Sequence, residues 1–140
     1  MNWPFPLLPA ELARSVKEAA AQAAGGPLHV NIALCYGGRQ EIVDACRALV
    51  ADLASQGVKP SDLADAIDAQ GIATHLYAAD LPDTDLVIRT SGEARLSGFL
   101  LWQSVYAELS FVGPYWPAFR RVDLLRALRD YTGRQRRFGS

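Results

Sequence analysis

The chain has 140 residues, half of them hydrophobic and 21% charged, with a formal net charge of −1. That length bounds it to one domain, residues 1–140, and the balance suits a globular chain rather than a disordered one. Near-neutral charge excludes a broadly basic nucleic-acid surface, and no apolar run reaches the length of a membrane span.

The first nine residues hold three prolines, Pro4, Pro6 and Pro9, with several apolar residues, and read as an extended lead-in. They lack the basic start of a signal peptide, and Met1 reads as a genuine start. Residues 10–24 are helical in composition, with Leu12, Val16 and Ala19 or Ala20 on one apolar face and Gly25-Gly26-Pro27 as the stop. Leu28 to Leu34 reads as a strand from its Val and Ile content. His29 and, further on, His75 read as structural residues. Tyr36-Gly37-Gly38-Arg39 follows, and a helix begins near Gln40 with Ile42, Ala45, Leu49 and Leu53 in a 3.6-residue stripe. A strand, a Gly pair and a helix start admit two readings: an anion cradle, or a turn that needs glycine. Cys35 and Cys46 lack C-x-x-C spacing and read as reduced thiols, which points to the cytoplasm.

Ser55-Gln56-Gly57 ends that helix, and Ser61 is a plausible N-cap for a short one with Leu63, Ala66 and Ile67 inward. Residues 72–79 fit either a short helix or extended chain. Leu86-Val87-Ile88 is a buried-strand signal that empties into Arg89-Thr90-Ser91-Gly92-Glu93-Ala94-Arg95-Leu96-Ser97. Ligands usually bind where such a strand ends in an α/β sheet, and arginine forks match phosphate oxygens. Residues 98–103 read as helical, and Leu109 to Val112 as a strand. Glu108 lies in an apolar stretch, so its carboxylate needs a partner, either a metal ion or an arginine, unless it sits at the surface. Tyr115 to Phe119 reads as a buried aromatic corner. Val122 to Tyr131 reads as a helix with Leu124, Leu125 and Leu128 inward. Arg134, Arg136 and Arg137 then form a basic cluster, whose plain reading is a solvated tail.

Several of these stretches resemble the C-terminal half of the cis-prenyltransferases, the undecaprenyl diphosphate synthase family. Asp85 to Ser97 is similar to that family's D-L-x-I-R-T-S-G-E-x-R-L-S. Phe99-Leu100-Leu101-Trp102-Gln103, Tyr106-Ala107-Glu108-Leu109, Trp116-Pro117-x-Phe119 and the closing Arg136-Arg137-Phe138-Gly139 follow in the family's order. Upstream, Asn31-Ile32-Ala33 and Tyr36-Gly37-Gly38-Arg39 resemble N-I-A-x-N-Y-G-G-R, with Cys35 where the family usually has Asn. The R-L-S-G variant is similar to that of short-chain members. The resemblance implies condensation of isopentenyl diphosphate onto an allylic diphosphate with Mg²⁺. It implies that Arg89, Arg95 and Ser97 hold the isopentenyl diphosphate, with Arg137 and Gly139 closing over a diphosphate. Glu108 would contact the Mg²⁺, from the same or the neighbouring subunit. Tyr36, Gly37, Gly38 and Arg39 would support the loop.

Two family segments are absent: the D-G-N-G-R-W motif with the catalytic aspartate, and F-S-x-E-N-W-x-R. The fold expected is therefore α/β and incomplete: part of a parallel-sheet cis-prenyltransferase fold, about three strands with flanking helices, completed by a partner chain. The leading expectation is one subunit of a split, hetero-oligomeric enzyme, with no catalytic residue in this chain. Its partner would carry Asp-Gly-Asn-Gly-Arg-Trp, with membrane contact only peripheral, through the product. The alternatives are a non-catalytic stabilising subunit, an inactive truncated fragment, and a generic phosphate-binding module. Nucleic acid is not an expected ligand.

Overall fold

The computed structural model describes residues 8–23 and 27–134. Their contacts divide the chain into two compact units, Met1–Tyr36 and Gly37–Ser140. Among the described residues no helix is long and apolar enough to cross a membrane.

The first unit holds one helix, α1 (Ala10–Gln22), which the alanine-rich composition favours. It has no buried residue, and Leu12 on its apolar face is 47% exposed. Leu28 to Leu34 is not a strand. Leu28, Val30 and Ile32 lie exposed, and the segment joins no sheet among the described residues. Its β-branched content marks a preference for strand, but a strand exists only as a hydrogen-bonded pair, and this one lacks its neighbour.

The second unit begins with α2 (Gly38–Ser55), whose inner face is Glu41, Ala45 and Leu49. Short helices α3 (Leu63–Ala66) and α4 (Ala69–Ala73) pack back on α2. The α3 cap position is Asp62 rather than Ser61, whose hydroxyl instead donates to the Asp62 carboxylate at 2.7 Å. Asp68 caps α4 by accepting the Gly71 N–H at 2.6 Å. Ile67, read as inward-facing, is exposed. His75 fills a structural role: its Nδ1 lies 2.8 Å from the Gly71 carbonyl.

The sheet has two parallel strands, β1 (Leu86–Arg89) and β2 (Glu108–Phe111), with Leu86 beside Glu108 and Arg89 beside Phe111. The expected third strand, Leu28 to Leu34, is missing from it. The connection between them is not the helix expected at residues 98–103. It is a train of turns, with bonds such as Ser104 N–H to Leu100 O at 2.9 Å and Ala107 N–H to Ser104 O at 3.0 Å. Ser97, Gly98 and Leu100 have φ of 52°, 83° and 46°, left-handed values that no α-helix propagates.

A 3-10 turn, Trp116–Ala118, leads to α5 (Arg121–Thr132). The aromatic corner is not buried: Tyr115 and Trp116 are more than 70% exposed, although Trp116 stacks on Phe119 with centroids 5.5 Å apart. In α5 the buried residues are Asp123 and Ala127, while Leu124, Leu125 and Leu128 are exposed. Asp123 caps the helix start: it accepts from the Arg120 guanidinium and backbone N–H, which draws its carboxyl below the usual range.

The apolar core of the described residues is small: Ala45, Leu49, Leu76 and Ala127. Polar links supplement it. The Tyr77 hydroxyl donates to Asp44 Oδ2 at 2.7 Å. Burial first, and the Asp44 bond second, push the Tyr77 phenol from 10.0 up to about 12. A raised phenol pKa favours the folded state at lower pH, and that contribution fades as pH climbs from 10.0 towards about 12. Following the Tyr77 ring resonance through an alkaline titration should show this late ionisation. Asp44→Asn should move it down only in part, because burial remains; an unmoved midpoint would remove Asp44 as a cause.

Candidate functional site

β1 delivers Arg89 to the carboxyl end of the sheet, where the chain turns through Thr90-Ser91-Gly92. Ser91 and Gly92 have φ of 81° and 70°, and this double left-handed step folds Glu93 back towards Arg89. The turn is pinned to the residues that follow β2. Ser91 N–H donates to Pro114 O and Gly92 N–H to Val112 O, both at 2.9 Å. Those two amides are occupied by the turn and are not offered to a ligand. An anion here can be held by side chains.

The side chains suited to that are Arg89 and Arg95. Both donate to Glu93: Arg89 Nη2 to Oε2 at 2.5 Å and Arg95 Nη2 to Oε1 at 2.7 Å. Arg89 Nε and Ser91 Oγ are buried with no hydrogen-bond partner in the structure. A buried donor without an acceptor is costly, and an anion's oxygen beside β1 would satisfy it. Beside these residues a hollow of about 290 Å³ runs along β1 and is walled by Leu96, Phe99 and Leu100.

Ser97 and Arg39 meet at a second hollow of about 480 Å³, with Gly37, Gly38, Gly98 and Leu101. The Gly38 N–H donates to Gly98 O at 3.0 Å. A Cβ on Gly38 would collide with that carbonyl oxygen. Of the two readings of the Gly pair, the structure therefore supplies a reason for close backbone approach. Gly37 is the N-cap of α2, and Arg39 is exposed. Tyr36 belongs to the other unit.

Glu108 stands apart. It is beside Leu86 at the start of the sheet, and Arg89 is beside Phe111 at its end. Three strand steps separate them, about 10 Å at the usual rise, and the alternation of the pleat puts them on opposite faces. Its partner is an arginine: Arg134 Nη1 donates to Glu108 Oε2 at 2.8 Å and to Leu109 O at 3.3 Å. Among the described residues no group of three or more His, Cys, Asp or Glu could hold a metal. A lone carboxylate suits only a cation that keeps waters and takes its other ligands from a substrate's phosphates, which is the habit of Mg²⁺. Arg137 and Gly139 lie outside the described residues. Sequence reasoning missed Glu93; its signal was an acid four residues after one motif arginine and two before the next.

The model of a family described as putative undecaprenyl diphosphate synthase matches residues 5–139. This chain belongs to that family. It is 57% identical over 135 residues to a (2Z,6E)-farnesyl diphosphate synthase of Mycolicibacterium smegmatis, covering 95% of this chain and 51% of that protein. A short-chain Z-isoprenyl diphosphate synthase of Mycobacterium bovis is 54% identical over 131 residues, covering 94% and 49%. The structure is similar to lavandulyl diphosphate synthase from Lavandula x intermedia, solved with dimethylallyl diphosphate, with a TM-score of 0.80 at 38% identity. That match covers 96% of this chain and 56% of the other. The chain thus spans about half the length of the curated relatives it matches. Its α/β fold, helices around a parallel pair, is that of the cis-prenyltransferases.

Gly38→Ala tests the backbone approach at the second hollow. The added methyl must push Gly98 away and break the 3.0 Å bond, so stability should fall by about 1–3 kcal/mol, the usual cost of overpacking. The denaturation midpoint measures it; an unchanged midpoint would show that the 97–101 segment yields freely.

Proposed function

We propose that this chain forms the isopentenyl-diphosphate-binding half of a cytoplasmic, Mg²⁺-dependent cis-prenyltransferase, and works with a second polypeptide that carries Asp-Gly-Asn-Gly-Arg-Trp. One observation carries the proposal: two guanidiniums converge where a parallel strand ends, beside a buried Arg89 Nε that lacks an acceptor. Family membership and the relatives' names support the substrate class.

In this reading Arg89 and Arg95 bind the diphosphate of the isopentenyl substrate, with Ser97 as a further donor. Fixed guanidinium planes match phosphate oxygens in pairs, so they orient the substrate as well as hold it. The hollow along β1 gives its short hydrocarbon an apolar wall at Leu96 and Phe99. Glu108 would hold Mg²⁺, with Arg134 releasing or sharing one carboxylate oxygen. When bound, the metal neutralises diphosphate charge as the allylic substrate ionises. Because Glu108 and Arg89 sit at opposite ends of the sheet, the Glu108 of one copy serves a site on a neighbouring subunit. Arg137 and Gly139 would close over a diphosphate.

A second reading, a non-catalytic stabilising subunit, is favoured by one feature: Val105, Tyr106, Phe111, Tyr115 and Trp116 are all exposed. Large apolar side chains left exposed in this number suit a partner.

Labelled isopentenyl diphosphate and an allylic diphosphate, supplied to the chain with and without the second polypeptide, separate these readings. The enzyme reading expects incorporation only from the pair. It also expects Arg89→Ala to raise KM for isopentenyl diphosphate roughly ten- to hundredfold, the worth of a charge-assisted bond. Activity that survives Arg89→Ala unchanged, yet is lost when Tyr106 or Phe111 is made polar, would favour the scaffold. No incorporation from the pair would end the enzyme reading.

A further inference from the structure

Glu93 has no part in the function so far, yet it touches both arginines that do. Its two oxygens are divided between them, Oε2 to Arg89 and Oε1 to Arg95. The backbone makes this possible. The left-handed pair Ser91 and Gly92 reverses the chain, and the Pro114 and Val112 carbonyls fix the reversal. The Arg95 side chain is 68% exposed, and its contact with Glu93 ties it to the loop.

We propose that Glu93 is a positioning residue: its carboxylate brackets Arg89 and Arg95 so that their remaining donors present one convergent site to a diphosphate. This rests on the reading of those arginines as the diphosphate site. Two like charges side by side repel, and two long side chains lose rotamer freedom when an anion gathers them. A carboxylate between them offsets the repulsion and has the pair assembled beforehand. Each guanidinium gives Glu93 one Nη2 contact and keeps its other N–H groups for a ligand. Arg89 Nε is among those kept.

Two other roles are open to a glutamate here, and they differ in sign. If Glu93 merely competed with the ligand, its removal would tighten binding. Charge alone acts the same way, since losing the carboxylate takes the trio from +1 to +2 and draws anions more strongly. Weaker binding after Glu93→Gln therefore cannot come from net charge. If Glu93 only braced the loop, the loss would not depend on Arg95.

The experiment uses the full chain with its second polypeptide and reads inorganic diphosphate binding by calorimetry beside KM for isopentenyl diphosphate. Glu93→Gln should weaken both roughly three- to tenfold, as expected for two partly exposed ion pairs, with KM rising more than kcat falls. Glu93→Asp should recover part of the loss with the thermal midpoint unmoved. In an Arg95→Ala background, Glu93→Gln should add little. Unchanged or tighter binding by Glu93→Gln overturns the inference, as does an equal penalty in the Arg95→Ala background. If Arg89→Ala and Arg95→Ala themselves leave diphosphate binding intact, the diphosphate site falls with it. If they weaken binding and Glu93→Gln does not, the inference alone falls.

Discussion

Among the described residues Glu41, 1% exposed, is the largest fully buried side chain, and it bears a carboxylate. A charge placed there without donors would cost several kcal/mol, so the structure around it must supply them. It does so from two distant segments: the Tyr77 N–H at 3.1 Å and the Gln103 side-chain amide at 2.9 Å. The Gln103 backbone carbonyl in turn accepts the Thr84 N–H at 2.9 Å. One side chain of α2 thus fixes the turn after α4, the residues that follow the arginine motif, and the approach to β1. The apolar core is too small to do this unaided.

From that anchor the rest of the site follows. Gln103 holds the far end of the 97–103 segment, and the Gly38–Gly98 bond holds the near end. Between them the chain passes through left-handed Ser97, Gly98 and Leu100, a path no repeating structure supplies. Leu96, Phe99 and Leu100 are left facing β1 rather than packed away. The hollow beside Arg89 owes its wall to a buried glutamate on another element.

Much of this was readable from the residues, where local pattern and tertiary setting agree. The apolar stripe of α2, the Leu86–Ile88 run and the strand after Glu108 each became the expected element within a residue or two. Glu108 found the arginine that its apolar setting demanded. The failures share a cause. Leu28 to Leu34 has strand composition, but pairing depends on a neighbour that local sequence does not report. Leu124, Leu125 and Leu128 follow a helical stripe, yet the residues of α5 that turn in are Asp123 and Ala127. Tyr115 and Trp116 look like core by composition and lie outside it. Of the candidate site, the arginines could be named from the sequence because the motif that holds them is long. The Glu93 bracket was not, because it depends on a double left-handed turn that only the fold displays. The order of residues likewise hid the separation of Glu108 from Arg89; strand register exposes it.

The arginine loop has a second character, which concerns how the molecule folds. β1 and β2 are parallel, so no tight hairpin can join them, and residues 90–107 are the whole crossover. Each sheet hydrogen bond must wait until that loop has closed, while the turns of α2 form from near neighbours. The segment read as binding the ligand is thus also the entropic toll on the sheet. An anion that gathers Arg89 and Arg95 shortens the free part of this loop, and so steadies the strand pair from outside the sheet.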